Sequence, residues 1–148
     1  MKGFINMSAN RKINLSLGIL QVLIGVGAIF GGFGLMMDPS GVSLGMSVEL
    51  LQGTPFQNYF IPGLVLFSVN GIGTLIASYF TLKNHRYARS LAMLFGAGLT
   101  LWIVIQVALI GYQSLLQPIY FVLGIMEFSL GYTLTIQHAP DRSEPLVV

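Results

Sequence analysis

The residue of this chain best suited to proton or cation chemistry is Glu127, in FVLGIMEFSLGY, the only charged side chain between Arg89 and Asp141. A carboxyl group among apolar residues can act as a hydrogen-bonding pin. By exchanging its proton it can also serve a proton-coupled or cation-binding site. No Lys, Arg or His stands in the apolar stretches to neutralise it. A neutral acid is cheaper to bury than an ion, so a protonated Glu127 donating to an amide or a backbone carbonyl is expected. Gln21, Asn70 and Gln106 supply one strongly polar group in the central band of each of the other apolar stretches. At about 1.5 Å per helical residue, Asn70 and Glu127 fall near mid-stretch, Gln106 about 7 Å to the outer side and Gln21 a few Å to the inner side. These four residues form the candidate ligand or proton site, with Asn70 or Gln106 the expected partner of Glu127.

Other chemistries find no footing. The chain has no cysteine, which excludes thiolate nucleophiles, disulfides and Cys-ligated metals. His85 and His138 both fall at one edge of the apolar stretches, so no pair of imidazoles can bracket a haem. Ser, His and Asp lie at incompatible depths for a triad. Gly71-Ile72-Gly73 sits within an apolar stretch and lacks the preceding strand of a phosphate-binding turn. No catalytic residue, metal or cofactor is expected, and the chain reads as a non-enzyme.

The elements that must position Glu127 follow from composition. Of 148 residues, 54% are hydrophobic and 8% charged, far below the roughly 25% charged content of soluble domains. Four stretches, 13–37, 60–82, 90–112 and 116–137, each reach the length of about 20 residues that crosses a bilayer as a helix. Period-2 alternation, the signature of a barrel, is missing. The expected fold is all-α, a four-helix transmembrane bundle over 13–137. Residues 1–12 precede it, an outer amphipathic loop spans 38–59, and a disordered tail occupies 138–148. The first span is too long for a signal peptide and no A-x-A-like site follows it, so it reads as an uncleaved anchor.

All seven basic residues flank the spans on one side: Lys2, Arg11, Lys12, Lys83, Arg86, Arg89 and Arg142. The positive-inside rule then places both termini and the 83–89 loop in the cytoplasm of a bacterial cell whose plasma membrane the chain crosses four times. Lys83, Arg86 and Arg89 are expected to contact lipid headgroups. The net charge of +2 reflects this asymmetry, and nucleic acid is not an expected partner. The lipid bilayer is, together with a second copy of the chain or another membrane protein.

Small residues mark the contacting faces. Gly124, Glu127 and Gly131 share one stripe of the fourth span, Ala88, Ala92, Gly96 and Thr100 one of the third. Gly27 and Gly31 form a G-x-x-x-G in the first span, where Gly18, Gly25 and Gly32 also recur at sevens. Thr54-Pro55-Phe56-Gln57 and Ser114-Leu115-Leu116-Gln117 both read as capping boxes, predicting that the second helix starts near Pro55 and is kinked at Pro62. The first and third spans share a Gly-x-Gly core, so the chain has the look of two hairpins related as a parallel repeat. In the outer loop, Asp38-Pro39 suits a turn and Gly53 the end of a short helix over 46–52. The loop is either a passive interfacial cover or a lid.

The segments DPSG, LGM, TPF, IPGL, GAGLTLWIVIQVALIGY and LQPIYFVLGIMEFSLG resemble a set of small four-span bacterial membrane proteins without assigned activity, over residues 13–137. The resemblance implies a fold and no chemistry. The four short spans and single intramembrane Glu also resemble small multidrug transporters, although those place their Glu in the first span. The expected function is a structural or interaction subunit with Glu127 as an internal pin. The alternative is a small oligomeric proton-coupled transporter or channel-like protein using Glu127 and Asn70.

Overall fold

The computed structural model describes residues 2–137, with side chains from Ala9 onward, and every regular element among them is helical. Helix α1 runs Lys2–Met37, and its apolar portion Ala9–Met37 is 29 residues long. Then follow α2 (Phe60–Leu82), α3 (Ala88–Ile110) and α4 (Leu116–Gln137), each long and apolar enough to cross a membrane. The basic segment before the first span is therefore a continuation of α1, not a separate arm. Helix α3 ends earlier than position 112 because Gly111 turns the chain with φ 71°.

The bundle is built inside out relative to a soluble one. Many buried positions are small or polar, among them Ala77, Ala88, Ala92, Thr74, Ser78 and Thr81, beside a few large ones such as Leu17 and Leu134, whereas Phe30 is 73% exposed and Leu94 63%. This is the distribution expected where the solvent is hydrocarbon. Large apolar side chains gain nothing by turning inward, and close backbone approach drives association. The helices approach on glycine. A Cβ at Gly32 of α1 would stand 2.5 Å from the Phe67 nitrogen of α2, and one at Gly25 3.1 Å from the Gly71 carbonyl oxygen. Between α3 and α4, a Cβ at Gly96 would stand 2.5 Å from the Phe128 nitrogen, one at Gly124 3.0 Å from the Gly96 oxygen, and one at Gly131 2.9 Å from Ala92 Cβ. Gly18, at the N-terminal end of the sevens stripe, lies under Leu82, and Ser78 Oγ donates to its carbonyl at 2.9 Å.

Two expectations for α2 are corrected. No helix starts at Pro55. Thr54 Oγ1 accepts from Phe56 N at 3.2 Å in a local turn, and the helix opens at Phe60, whose N–H is taken by Asn58 Oδ1 at 3.0 Å. Pro62 therefore lies in the first turn, where its missing donor costs nothing, and it has no kink to make. The irregularity falls one turn later, where Leu66–Gly73 is wound as a π-helix carrying Asn70 at its middle. The second capping box forms as read: Ser114 Oγ accepts from Leu116 N at 3.1 Å and Gln117 Oε1 accepts from Ser114 N at 3.4 Å.

Residues 38–59 fold down over one end of the bundle. Asp38 accepts from Ser43 N at 2.8 Å and from the Ser40 hydroxyl. Two single 3₁₀ turns follow, Val42–Leu44 and Val48–Leu51, in place of one short helix. Gly41, Gly45 and Gly53 take φ values of 78°, 72° and 82°, which residues with a Cβ rarely adopt. Tyr59 is buried, donates its hydroxyl to the Ser47 carbonyl at 2.9 Å, and clusters with Leu35 and Leu51. The loop is thus tied to the bundle and not free in solvent.

Candidate functional site

Glu127 lies where the helices converge at mid-depth, and the pairing that holds it differs from the expectation. Gln21 Nε2 donates to Glu127 Oε1 at 2.9 Å, joining α1 to α4 across 106 positions of sequence, and both side chains are 0% exposed. Oε1 of the carboxyl group takes this bond, and the partner is neither Asn70 nor Gln106. Antiparallel running of α1 and α4 explains the level. Gly27 lies against the Tyr120 hydroxyl two turns outward, and the same register brings position 21 opposite 127.

Helix α2 contributes the remaining polar groups. Gly18 and Gly25 of α1 meet Leu82 and Leu75 of α2, so Gln21, between them, is opposite the stretch 75–82, and Thr74 lies just beyond it. Thr74 is fully buried, and Asn70, 2% exposed, lies one turn further outward. Among the described residues, four buried side-chain oxygens have no hydrogen-bond partner: Gln21 Oε1, Glu127 Oε2, Thr74 Oγ1 and Asn70 Oδ1. Threonine in a helix commonly donates back to the carbonyl four residues earlier, as Thr81, Thr100 and Thr135 do here. Thr74 directly follows the π segment, which shifts the carbonyl register, and its hydroxyl makes no such bond. Buried oxygens held apart from one another can accept a proton, a water or a hard cation.

Gln106 belongs elsewhere. It lines a cavity of about 240 Å³ in the half of the bundle nearest the 38–59 loop, with Gly27 and Gly31 of α1, Trp102 of α3 and Gln117 and Tyr120 of α4, beneath Leu44 and Met46 of the loop. A smaller cavity of about 70 Å³, reaching Leu51 and Tyr59, shares Trp102 and Gln106 with it. Gln117 is committed to the helix start, accepting from Gln113 N at 2.8 Å and donating to the Gly111 carbonyl at 3.2 Å. Glu127 lines none of these cavities. Ile24 and Leu99, 0% and 1% exposed, are buried at the intervening levels.

Ala92, Gly96, Gly124 and Gly131 line the α3–α4 contact. Gly27 faces Tyr120 of α4, whereas Gly31 has ordinary contact with Leu66 of α2. The G-x-x-x-G pair therefore serves two neighbours, and the sevens stripe makes the closer approach to α2. At the end opposite the 38–59 loop, Lys83 and Arg86 are exposed and Arg89 is half-buried. The expected disordered tail lies outside the described residues. The trapped oxygens around the π segment carry no sequence signal beyond Asn70 itself, because a π turn depends on backbone register and not on residue type.

Comparison of the chain with protein-family models, with curated proteins and with solved structures finds no match in any of the three.

Proposed function

We propose that this chain is a multi-pass protein of the bacterial plasma membrane that serves there as a structural or interaction subunit, kin to the small four-span bacterial proteins it resembles. Both termini and the 83–87 turn face the cytoplasm, and the 38–59 loop covers the outer ends of the spans. The two helical hairpins form a parallel repeat, a reading favoured by the glycine contact within each. The single observation that carries the subunit role is the Gln21–Glu127 bond, fully buried and linking the first helix to the last. A bond of this kind fixes the relative rotation of two helices, which lipid-facing Leu and Phe cannot do, and holds one face in shape for a partner. Catalysis has no place in this reading.

Glu127→Gln keeps an acceptor opposite Gln21 and is expected to fold, to insert and to melt within about 1 kcal/mol of the parent in detergent. Proton flux into liposomes should be the same for both proteins. A second reading, an oligomeric proton-coupled transporter, draws on one specific observation, the unpartnered buried oxygens of Glu127, Thr74 and Asn70. A Glu127→Gln protein that folds normally but loses a proton-linked flux would replace the first reading by the second.

A further inference from the structure

At the end of the bundle opposite the loop, a cleft of about 540 Å³ opens between α1, the turn 83–87 and the start of α3. Three arginines line it, Arg11, Arg86 and Arg89, together with Asn14, Asn84 and His85, and among the described residues no acidic side chain does. The turn that carries half of these groups is held rigidly. Asn84 takes φ 52°, a left-handed conformation that costs free energy in a residue with a Cβ. Its side-chain oxygen accepts from Asn14 Nδ2, tying the turn to α1. Arg86 lies 4.7 Å over the Tyr87 ring and donates to the Tyr87 hydroxyl at 2.8 Å. The His85 ring stands edge-on to Phe80 with centroids 4.9 Å apart. Strain, aromatic contacts and a bond between elements all serve to keep the arginine-bearing turn at a fixed distance from α1.

Guanidinium groups present paired donors that match phosphate oxygens, and Asn adds further N–H donors. Arg11, Arg86 and Arg89 form no ion pair with a described carboxylate. The cleft also lies level with the ends of the spans, at headgroup depth if the chain is threaded as proposed above. From this geometry we infer that the cleft binds the phosphodiester of one anionic phospholipid. The contrast with its neighbours sharpens the assignment. Lys12 and Lys83 are exposed cations at the same end of the molecule, yet neither lines the cleft. A diffuse basic belt would use all five cations alike, at about 1 kcal/mol each. A built site uses the arginines and ignores the lysines.

Native mass spectrometry of the full chain in detergent, titrated with phosphatidylglycerol or phosphatidylcholine, tests this. One phosphatidylglycerol should be retained in preference to phosphatidylcholine. Arg11→Gln with Arg89→Gln should lower that occupancy about ten-fold or more, as loss of charge-assisted contacts implies. Lys12→Gln with Lys83→Gln, an equal change of charge, should leave it within about two-fold. Equal losses from both double variants would mean a diffuse belt and overturn the site. So would equal retention of the two lipids by the parent chain, a comparison that depends on no variant folding. Displacement by inorganic phosphate at matched concentration would assign the cleft to a soluble phosphate instead. A rise in occupancy when 138–148 is removed would make the chain's own acidic residues, Asp141 and Glu144, the occupant. Because detergent has no sides, these results do not depend on threading, whose failure would appear only in vesicle labelling.

Discussion

One bond joins Glu127 and Gln21 and leaves the second oxygen of Glu127 and the oxygen of Gln21 without partners, and the consequences of breaking it differ by side. Gln21→Leu leaves the Glu127 oxygen at 0% exposure without its donor, which should destabilise the protein by about 1–3 kcal/mol. Adding Glu127→Leu removes the stranded acceptor as well, so the double variant should recover much of that loss. Urea or detergent-denaturation midpoints of the two single variants and the double would show it as a coupling energy. Additive losses would mean that the two side chains do not depend on each other. At the same scale, Thr74→Val deletes a hydroxyl with no partner, and should be neutral or stabilising where Thr81→Val, which breaks a 2.9 Å bond to Ala77, is not.

Among elements, the α3–α4 seam and the outer loop make opposite kinds of demand. A methyl at Gly96 would collide with backbone, 2.5 Å from Phe128 N and 2.8 Å from the Gly124 oxygen, whereas one at Gly98 would meet nothing within 4 Å. Gly96→Ala should therefore cost about 1–3 kcal/mol by forcing the helices apart. Gly98→Ala should gain about 0.5–1 kcal/mol from the lower flexibility of the unfolded chain. The loop depends on charge. Hydrogen bonds, first from the Ser40 hydroxyl and then from Ser43 N–H, hold the Asp38 carboxyl below the ordinary aspartate range against a smaller opposing desolvation. A carboxyl lowered in the fold adds stability above its unfolded value, and that contribution disappears as pH falls through the folded one. The loop should loosen below about pH 4, read by Trp102, the single tryptophan, which lines the cavity beneath Met46. In Asp38→Asn that acid transition should be absent.

For the whole molecule, threading is the property to measure. In a chain without native cysteine, single cysteines at Ser43 and Gln113 should react with an impermeant maleimide from outside intact cells. One at Lys83 should react only after lysis. All three positions are exposed, so a silent site reports the membrane and not burial. Reaction of Lys83→Cys from outside would invert the proposed orientation while leaving the bundle unchanged.

The four helices, their approximate ends, the glycine seams and the inner cluster of cations were legible in the chain because each depends on local composition or on a repeat of three, four or seven residues. Length and apolarity alone mark 60–82 and 116–137 as helices, and spacing alone puts Gly96, Gly124 and Gly131 on contacting faces. What spacing along one helix cannot supply is the register between helices. Depth counting put Glu127 level with Asn70, but a helix also has a rotation, and the rotations of α1 and α4 bring Gln21 to the carboxyl group and leave Gln106 in a cavity above. The start of α2 depended on whether Thr54 or Asn58 took the first free N–H, a competition decided by the loop folding back onto Tyr59. The π segment, the unpartnered oxygens and the arginine cleft all arise from how separate helices meet. Sequence therefore determined the elements and the solvent they suit, and tertiary contact alone decided which polar groups face one another, because hydrogen bonds reach about 3 Å and no periodicity fixes position that finely.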